Sequence, residues 1–146
     1  MGFKFRLENV LKLSEQELKI EQVIFSKELR TLQVLEEQKN VLVYSWHRAL
    51  EGQKKAGLSA PVILQNWQRY AREQKENLQK KEVEIQEQEK IVAECKEKLL
   101  DCKIKVEKYR KLRAKKFQVY REEELRKDQA VLDEIAQNIR KIRIKA

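Results

Sequence analysis

The sequence predicts an all-α protein, a long antiparallel two-helix coiled coil (a helical hairpin) whose C-terminal helix is the longer. Three observations carry that expectation. Glu, Lys, Gln, Leu and Arg fill most of the 146 positions, and only three glycines and one proline interrupt them, so helix is favoured almost everywhere and a sheet-rich fold is excluded. The breakers gather in one place, Gly52, Gly57, Ser59 and Pro61. On either side of that place apolar residues recur every seven residues, the period of a coiled-coil seam. With 39% charged residues and a mean hydropathy of -0.77, the chain is too polar for a thick core and must bury its apolar residues in a narrow strip.

The first helix is expected from about residue 5 to about residue 51. Its seam is Leu11, Leu18, Phe25, Leu32 and Trp46, with Lys39 interrupting and Leu35 and Leu42 at the partner positions. The turn is expected over about 52–60, with Gly57 suited to a helix C-cap and Ser59 to an N-cap. Pro61 fits the first turn of the second helix, expected over about 61–142. That helix carries Leu78, Ile85, Val92, Leu99 and Val106 at sevens, with Cys95, Cys102 and Tyr109 three residues further on. Leu125, Leu132 and Ile139 resume the spacing in another phase, with Ile135 and Ile142 beside them, so the register slips between Tyr109 and Leu125. The whole, 1–146, reads as one coiled-coil domain.

Arm length carries the functional signal. At 1.5 Å per residue the first helix would reach roughly 70 Å and the second roughly 120 Å. Folded back, the last 35 or so residues would lack a partner within the chain, by the same geometry. Yet they keep the apolar stripe Leu125, Leu132, Ile135, Ile139 and Ile142. A helix gains little from an apolar face that nothing covers, so another molecule should cover this one. Of the net charge of +9, six units lie in residues 106–146, where 13 cations face 7 carboxylates. They centre on Lys108–Lys116 and on Arg140, Lys141, Arg143 and Lys145. Near the turn Tyr44, Trp46, Trp67 and Tyr70 gather from both arms, either closing the hairpin end or facing outward as anchors for a partner.

Catalytic classes fall away. One histidine, His47, and two cysteines seven residues apart on one helix make no zinc set, and no HExxH, CxxC, Walker A or GxGxxG motif is present. No serine has a neighbouring histidine to activate it, so no catalytic, cofactor or metal residues are expected. Cys95 and Cys102 read as small apolar seam residues. A basic zipper would need an unbroken basic block, whereas Glu122, Glu123, Glu124 and Asp128 break this one, so no specific nucleic-acid partner is expected. The C-terminal stretch has no tryptophan anchor for a membrane surface. No apolar run is long enough for a transmembrane segment, and the N-terminus has no secretory pattern, which together predict a cytosolic chain.

The opening Phe3-Lys-Phe-Arg-Leu-Glu-Asn-Val-Leu-Lys-Leu13 resembles the F-x-F-x-L-x-x-V-L-x-L start of the bacterial flagellar export family FliJ. Length, turn position and the longer basic second helix are similar to that family along the whole chain. The resemblance implies a stalk of the flagellar type III export apparatus, similar in shape to the central stalk of rotary ATPases. It would sit in the hexameric ring of the export ATPase FliI, touch the cytoplasmic domain of the export gate FlhA and interact with export chaperones. Its place would be the cytoplasmic face of the inner membrane at the flagellar base. Gln38, Leu42, Tyr44 and Tyr70 match the family's gate-contact positions, whereas Gln74, Asn77 and Lys81 depart from its apolar pattern; Trp46 and Trp67 would be tip anchors. The ring contact would fall on Phe3, Phe5 and Leu7 with Leu125, Leu132, Ile135, Ile139, Ile142, Arg140, Lys141 and Arg143. The equivalent stalk of a virulence secretion system, or a homodimeric structural coiled coil, would share most of these features.

Overall fold

The computed structural model describes residues 2–145. Two α-helices account for nearly all of them, α1 (Glu8–Ser59) and α2 (Pro61–Lys145), and there is no strand among the described residues. The chain is an all-α helical hairpin with the longer helix second. The helices form two compact units, Lys19–Asp101 and a second made of Met1–Leu18 with Cys102–Ala146.

In the Lys19–Asp101 unit the pairing is antiparallel. Lys81 Nζ donates to Gln38 Oε1 at 2.9 Å, Lys39 pairs with Glu82 at 3.9 Å, and further along Gln88 meets Glu28. The residues turned inward follow the predicted heptads: Leu32, Leu35, Trp46, Leu78 and Val92 are half-buried, and Ile85 and Leu99 are buried. Gln88 is a buried polar member of this seam, its Nε2 donating to the Glu28 carbonyl oxygen at 3.1 Å and to Glu28 Oε2 at 2.6 Å. A buried amide in a seam of aliphatics is tolerable only when its hydrogen bonds are made in one register, which fixes that register.

The reversal differs from the expected turn over 52–60. Residues 52–59 continue α1, and Ala60 alone separates the helices. Ser59 is no N-cap; its Oγ donates back to the Lys55 carbonyl at 3.2 Å, inside α1. No glycine among the described residues has a positive φ, so Gly57 does not cap in the left-handed form. Gly52 has another use. A Cβ there would lie 2.6 Å from Trp67 Cδ2, so the missing side chain is the space the indole fills. Ala49, Ala56 and Ala71 are buried nearby, and such small residues let two helices approach closely. Gly52, which in sequence suggests a loop, is a packing feature. Pro61 stands where predicted, at the first position of α2, and Leu64 N donates to the Ala60 carbonyl at 3.2 Å.

In the other unit α1 begins at Glu8, not near residue 5. Residues 2–5 have no regular secondary structure and 6–7 turn into the helix, with Glu8 N donating to the Phe5 carbonyl at 3.2 Å. Phe3 meets Phe117 and Tyr120. Because α1 runs on to Ser59 and Ala60 alone makes the reversal, pairing reaches further along α2 than a turn over 52–60 would allow, and the bare part is 121–145, shorter than the expected 35 or so residues. Leu11 and Val106 are the buried seam residues here, and Ser14 is buried with its Oγ on the Val10 carbonyl. The seam passes from Tyr109 to Leu112 instead of Arg113, which locates the slip in register.

Candidate partner-binding surfaces

Three surfaces contain the predicted contact residues. The first is the N-terminal strap on α2. The Phe3 ring stands edge-on to Phe117 with centroids 5.3 Å apart and tilted on Tyr120 at 5.6 Å. The Arg113 guanidinium lies 5.7 Å from the Phe3 centroid while its Nε donates to Glu8 Oε2 at 2.9 Å, so one arginine holds both the strap and the start of α1. Phe3, Phe5 and Leu7 are half-buried and, with Lys4, Arg6, Leu112, Lys116 and Tyr120, line an open groove of about 480 Å³. They are partly engaged within the chain. The aromatic partners Phe117 and Tyr120, three residues apart on the basic helix, escape a heptad reading because they lie past the register slip.

The second surface is the bare end of α2. Leu125, Leu132, Ile135, Ile139 and Ile142 are all exposed, as are Val131 and Ile144. Positive charge is less concentrated here than over 106–146 as a whole: 121–145 contains seven cations against six carboxylates. The basic block Lys108–Lys116 instead lies where the N-terminal segment packs, and Arg110 and Arg113 pair with Glu15 at 3.3 Å and Glu8 at 2.9 Å. Arg140, Lys141, Arg143 and Lys145 remain a cationic end, and Arg143 and Lys145 complement the helix dipole.

The third surface is the turn end of the Lys19–Asp101 unit. Gln38 and Leu42 are brought together with Val41 and Lys81 around a groove of about 370 Å³. Lys81, where the resemblance expects an apolar residue, is held by Gln38 and by Glu84 at 3.0 Å. Tyr70 sits apart from that groove, edge-on to Trp67 at 6.2 Å, and with Arg48 and Asn66 they line a second hollow of about 380 Å³. Tyr44 is exposed, whereas Trp46 and Trp67 are half-buried, so the tryptophans close the hairpin end and also show an edge. Ile63, which the sequence also places near the turn, is exposed, and beside it so are two residues the sequence does not single out, Leu58 in the supposed loop and Val62 at the start of α2.

Among the described residues no cluster of His, Cys, Asp or Glu could hold a metal ion. No helix is long and apolar enough to cross a membrane. Cys95 and Cys102 lie half-buried along the seam positions of α2. These surfaces present apolar ridges, aromatic edges and cations.

No curated protein matches the chain, and no solved structure does. The family model described as "Flagellar FliJ protein" matches residues 3–141, from the strap almost to the end of α2. The chain belongs to the FliJ family, the flagellar export components that its opening motif resembles.

Proposed function

We propose that this FliJ-family chain is the coiled-coil stalk of the flagellar type III export apparatus, seated by the free end of α2 in the ring of the export ATPase FliI. The observation that carries the reading is the apolar stripe Leu125, Leu132, Ile135, Ile139 and Ile142, kept at helical spacing over a stretch that no other part of the described residues covers. A ring with an apolar collar would cover that stripe. Acidic groups at the ring's entrance would meet Arg140, Lys141 and Arg143, guiding entry while apolar contact holds position. Phe3, Phe5 and Leu7 would brace the base of the inserted helix, and the strap's grip on Phe117 and Tyr120 supports that role.

The turn end would meet the cytoplasmic domain of the gate protein FlhA. Gln38 and Leu42 around one groove and Tyr70 with Trp67 around another offer two adjacent footholds, with Tyr44 and Trp46 beside them. Export chaperones would use the shaft. In this reading the chain contributes no chemistry and works at the cytoplasmic face of the membrane.

The test is hydrolysis by the cognate ATPase, titrated with the full chain and with a chain lacking residues 125–146. Stimulation several-fold by the full chain and none by the shortened one is the expected result. Equal stimulation by both would move the seat to the strap or the shaft.

A further inference from the structure

In a chain with 39% charged residues, the thirteen positions Ala56–Gln68 contain no charged residue at all, the longest such run in the sequence. It brackets Ala60, the point where the chain reverses, so the tip of the Lys19–Asp101 unit is built from it. Leu58 is 89% exposed, Val62 78% and Ile63 50%. None of them is buried in the seam. Exposed branched aliphatics gathered at one point mark a contact surface.

What surrounds the tip says what it contacts. Lys54, Lys55 and Arg69 bound the neutral run, followed by Arg48, Arg72 and Lys75; all six are exposed and, among the described residues, none is in an ion pair. Only Glu51 and Glu73 oppose them between 44 and 75. Measured along the helices from Ala60, Leu58 and Val62 lie about 3 Å back, Lys54 and Lys55 about 8–9 Å, Trp67 about 10 Å and Arg69 about 13 Å. The order from the tip is therefore bare aliphatic, then lysine and indole, then arginine and tyrosine. A shallow insertion into a bilayer surface needs this order: apolar groups about 5–10 Å deep, aromatic rings at headgroup level and cations against anionic lipid.

We infer that the hairpin tip formed by Leu58, Val62 and Ile63 dips into the surface of an anionic lipid bilayer, with Lys54, Lys55 and Arg69 against the lipid phosphates. A protein groove could accept the aliphatics, but it has no need of a cationic collar around a neutral tip. The bare end of α2 differs in having six carboxylates among its aliphatics between Glu122 and Glu134 and no tryptophan. Long lysine and arginine side chains near the tip can reach headgroups while their stems stay on apolar surface. The contact is independent of whether the other end of the chain seats in an ATPase ring.

Flotation of the full chain with vesicles of phosphatidylethanolamine and phosphatidylglycerol, compared with pure phosphatidylcholine, tests the inference. The chain should float with the anionic vesicles only. Leu58→Asn with Val62→Asn, which leaves the net charge unchanged, should weaken the binding about tenfold by removing the inserted groups. Lys54→Gln with Lys55→Gln should weaken it several-fold, and Lys90→Gln with Lys98→Gln, the same charge loss on the shaft, should leave it nearly unchanged. Helicity measured for each variant separates these effects from misfolding. Absence of binding to the anionic vesicles overturns the inference, and so does equal loss from the two lysine pairs, which would mean diffuse attraction of a basic protein. Unchanged vesicle binding by the Leu58 and Val62 variant also overturns it, and if that variant bound the gate protein less well the tip would be a protein anchor.

Discussion

Two stretches of α2 share a composition and a spacing but not a neighbour. From Ile85 to Val106 the aliphatics at sevens lie against α1, and Ile85, Leu99 and Val106 are buried. From Leu125 to Ile142 the same kinds of residue at the same spacing are about half to two-thirds exposed. Both stretches are helical. The bare one needs no cover to be so, because the covered one has already met the cost of nucleation and Glu, Lys, Arg, Ala and Leu propagate the helix well. Local pairs such as Gln129 to Asp133 at 3.1 Å and Lys127 to Glu124 at 3.9 Å add a little. Burial is thus a condition of folding in one stretch and unnecessary to it in the other. An apolar stripe kept where folding makes no use of it supports a partner's contact, which is why the proposed seat rests there.

The comparison breaks if a charge in each stretch has the same effect. Val106 is 1% exposed, and Val106→Asp would bury an unpaired carboxylate, so a loss of about 3–5 kcal/mol is expected, seen as a much lower denaturation midpoint. Leu132→Asp, on the bare stretch, should change stability by less than about 0.5 kcal/mol, because the new carboxylate stays in water. In the stalk reading Leu132→Asp should instead abolish the gain in ATPase activity. A large loss of stability from Leu132→Asp would show that the stripe is covered within the protein, by a second copy of the chain.

The seam was legible because its period survives its polar members. Leu11, Phe25, Leu78, Ile85 and Leu99 declare the heptad, and Lys39, Gln88 and Glu28 fall on it even though no hydrophobic signal marks them. The turn was misread because glycine has two meanings. Gly52 and Gly57 look like loop residues in a chain otherwise poor in glycine, but absence of a side chain also serves close approach, and only the facing residue, Trp67, distinguishes the uses. The grooves near the turn were half legible. Gln38 with Leu42 share a groove as their spacing of four predicts, whereas Tyr70 pairs with Trp67 because three residues on a helix bring side chains onto one face. The strap was legible as a run of apolar residues, Phe3, Phe5 and Leu7, but nothing in them shows that α1 starts only at Glu8, and the misplaced turn is what overstates how much of α2 is left bare.

Gly52 sharpens the point at an intermediate scale. Gly52→Ala would gain up to about 1 kcal/mol in helix propensity. The added methyl would meet the Trp67 ring atoms at 2.6–2.7 Å, and displacing an indole from a close-packed site costs about 1–3 kcal/mol. A net loss of about 1 kcal/mol is expected, since the overpacking cost is the larger. Gly57→Ala provides the control, because its methyl would meet only Leu64 Cδ1 at an ordinary 3.9 Å and the propensity gain would stand alone. Thermal unfolding of the two variants should therefore move in opposite directions. A rise in both would mean that Trp67 swings aside at little cost.

The smallest effect belongs to the ion pairs that border the seam. Glu8 and Arg113 meet at 2.9 Å, the shortest of the four pairs that link the helices, but their side chains are 36% and 45% exposed. Water and salt screen such a pair, and holding two long side chains together costs entropy, so Glu8→Gln should remove no more than about 0.5 kcal/mol. Arg113→Ala should cost more, because the same guanidinium also lies against the Phe3 ring and its loss loosens the strap. The difference is readable in hydrogen exchange of residues 3–8, which should quicken in the arginine variant and hardly change in the glutamine one. Equal exchange in the two would assign the strap's hold to Phe117 and Tyr120 alone.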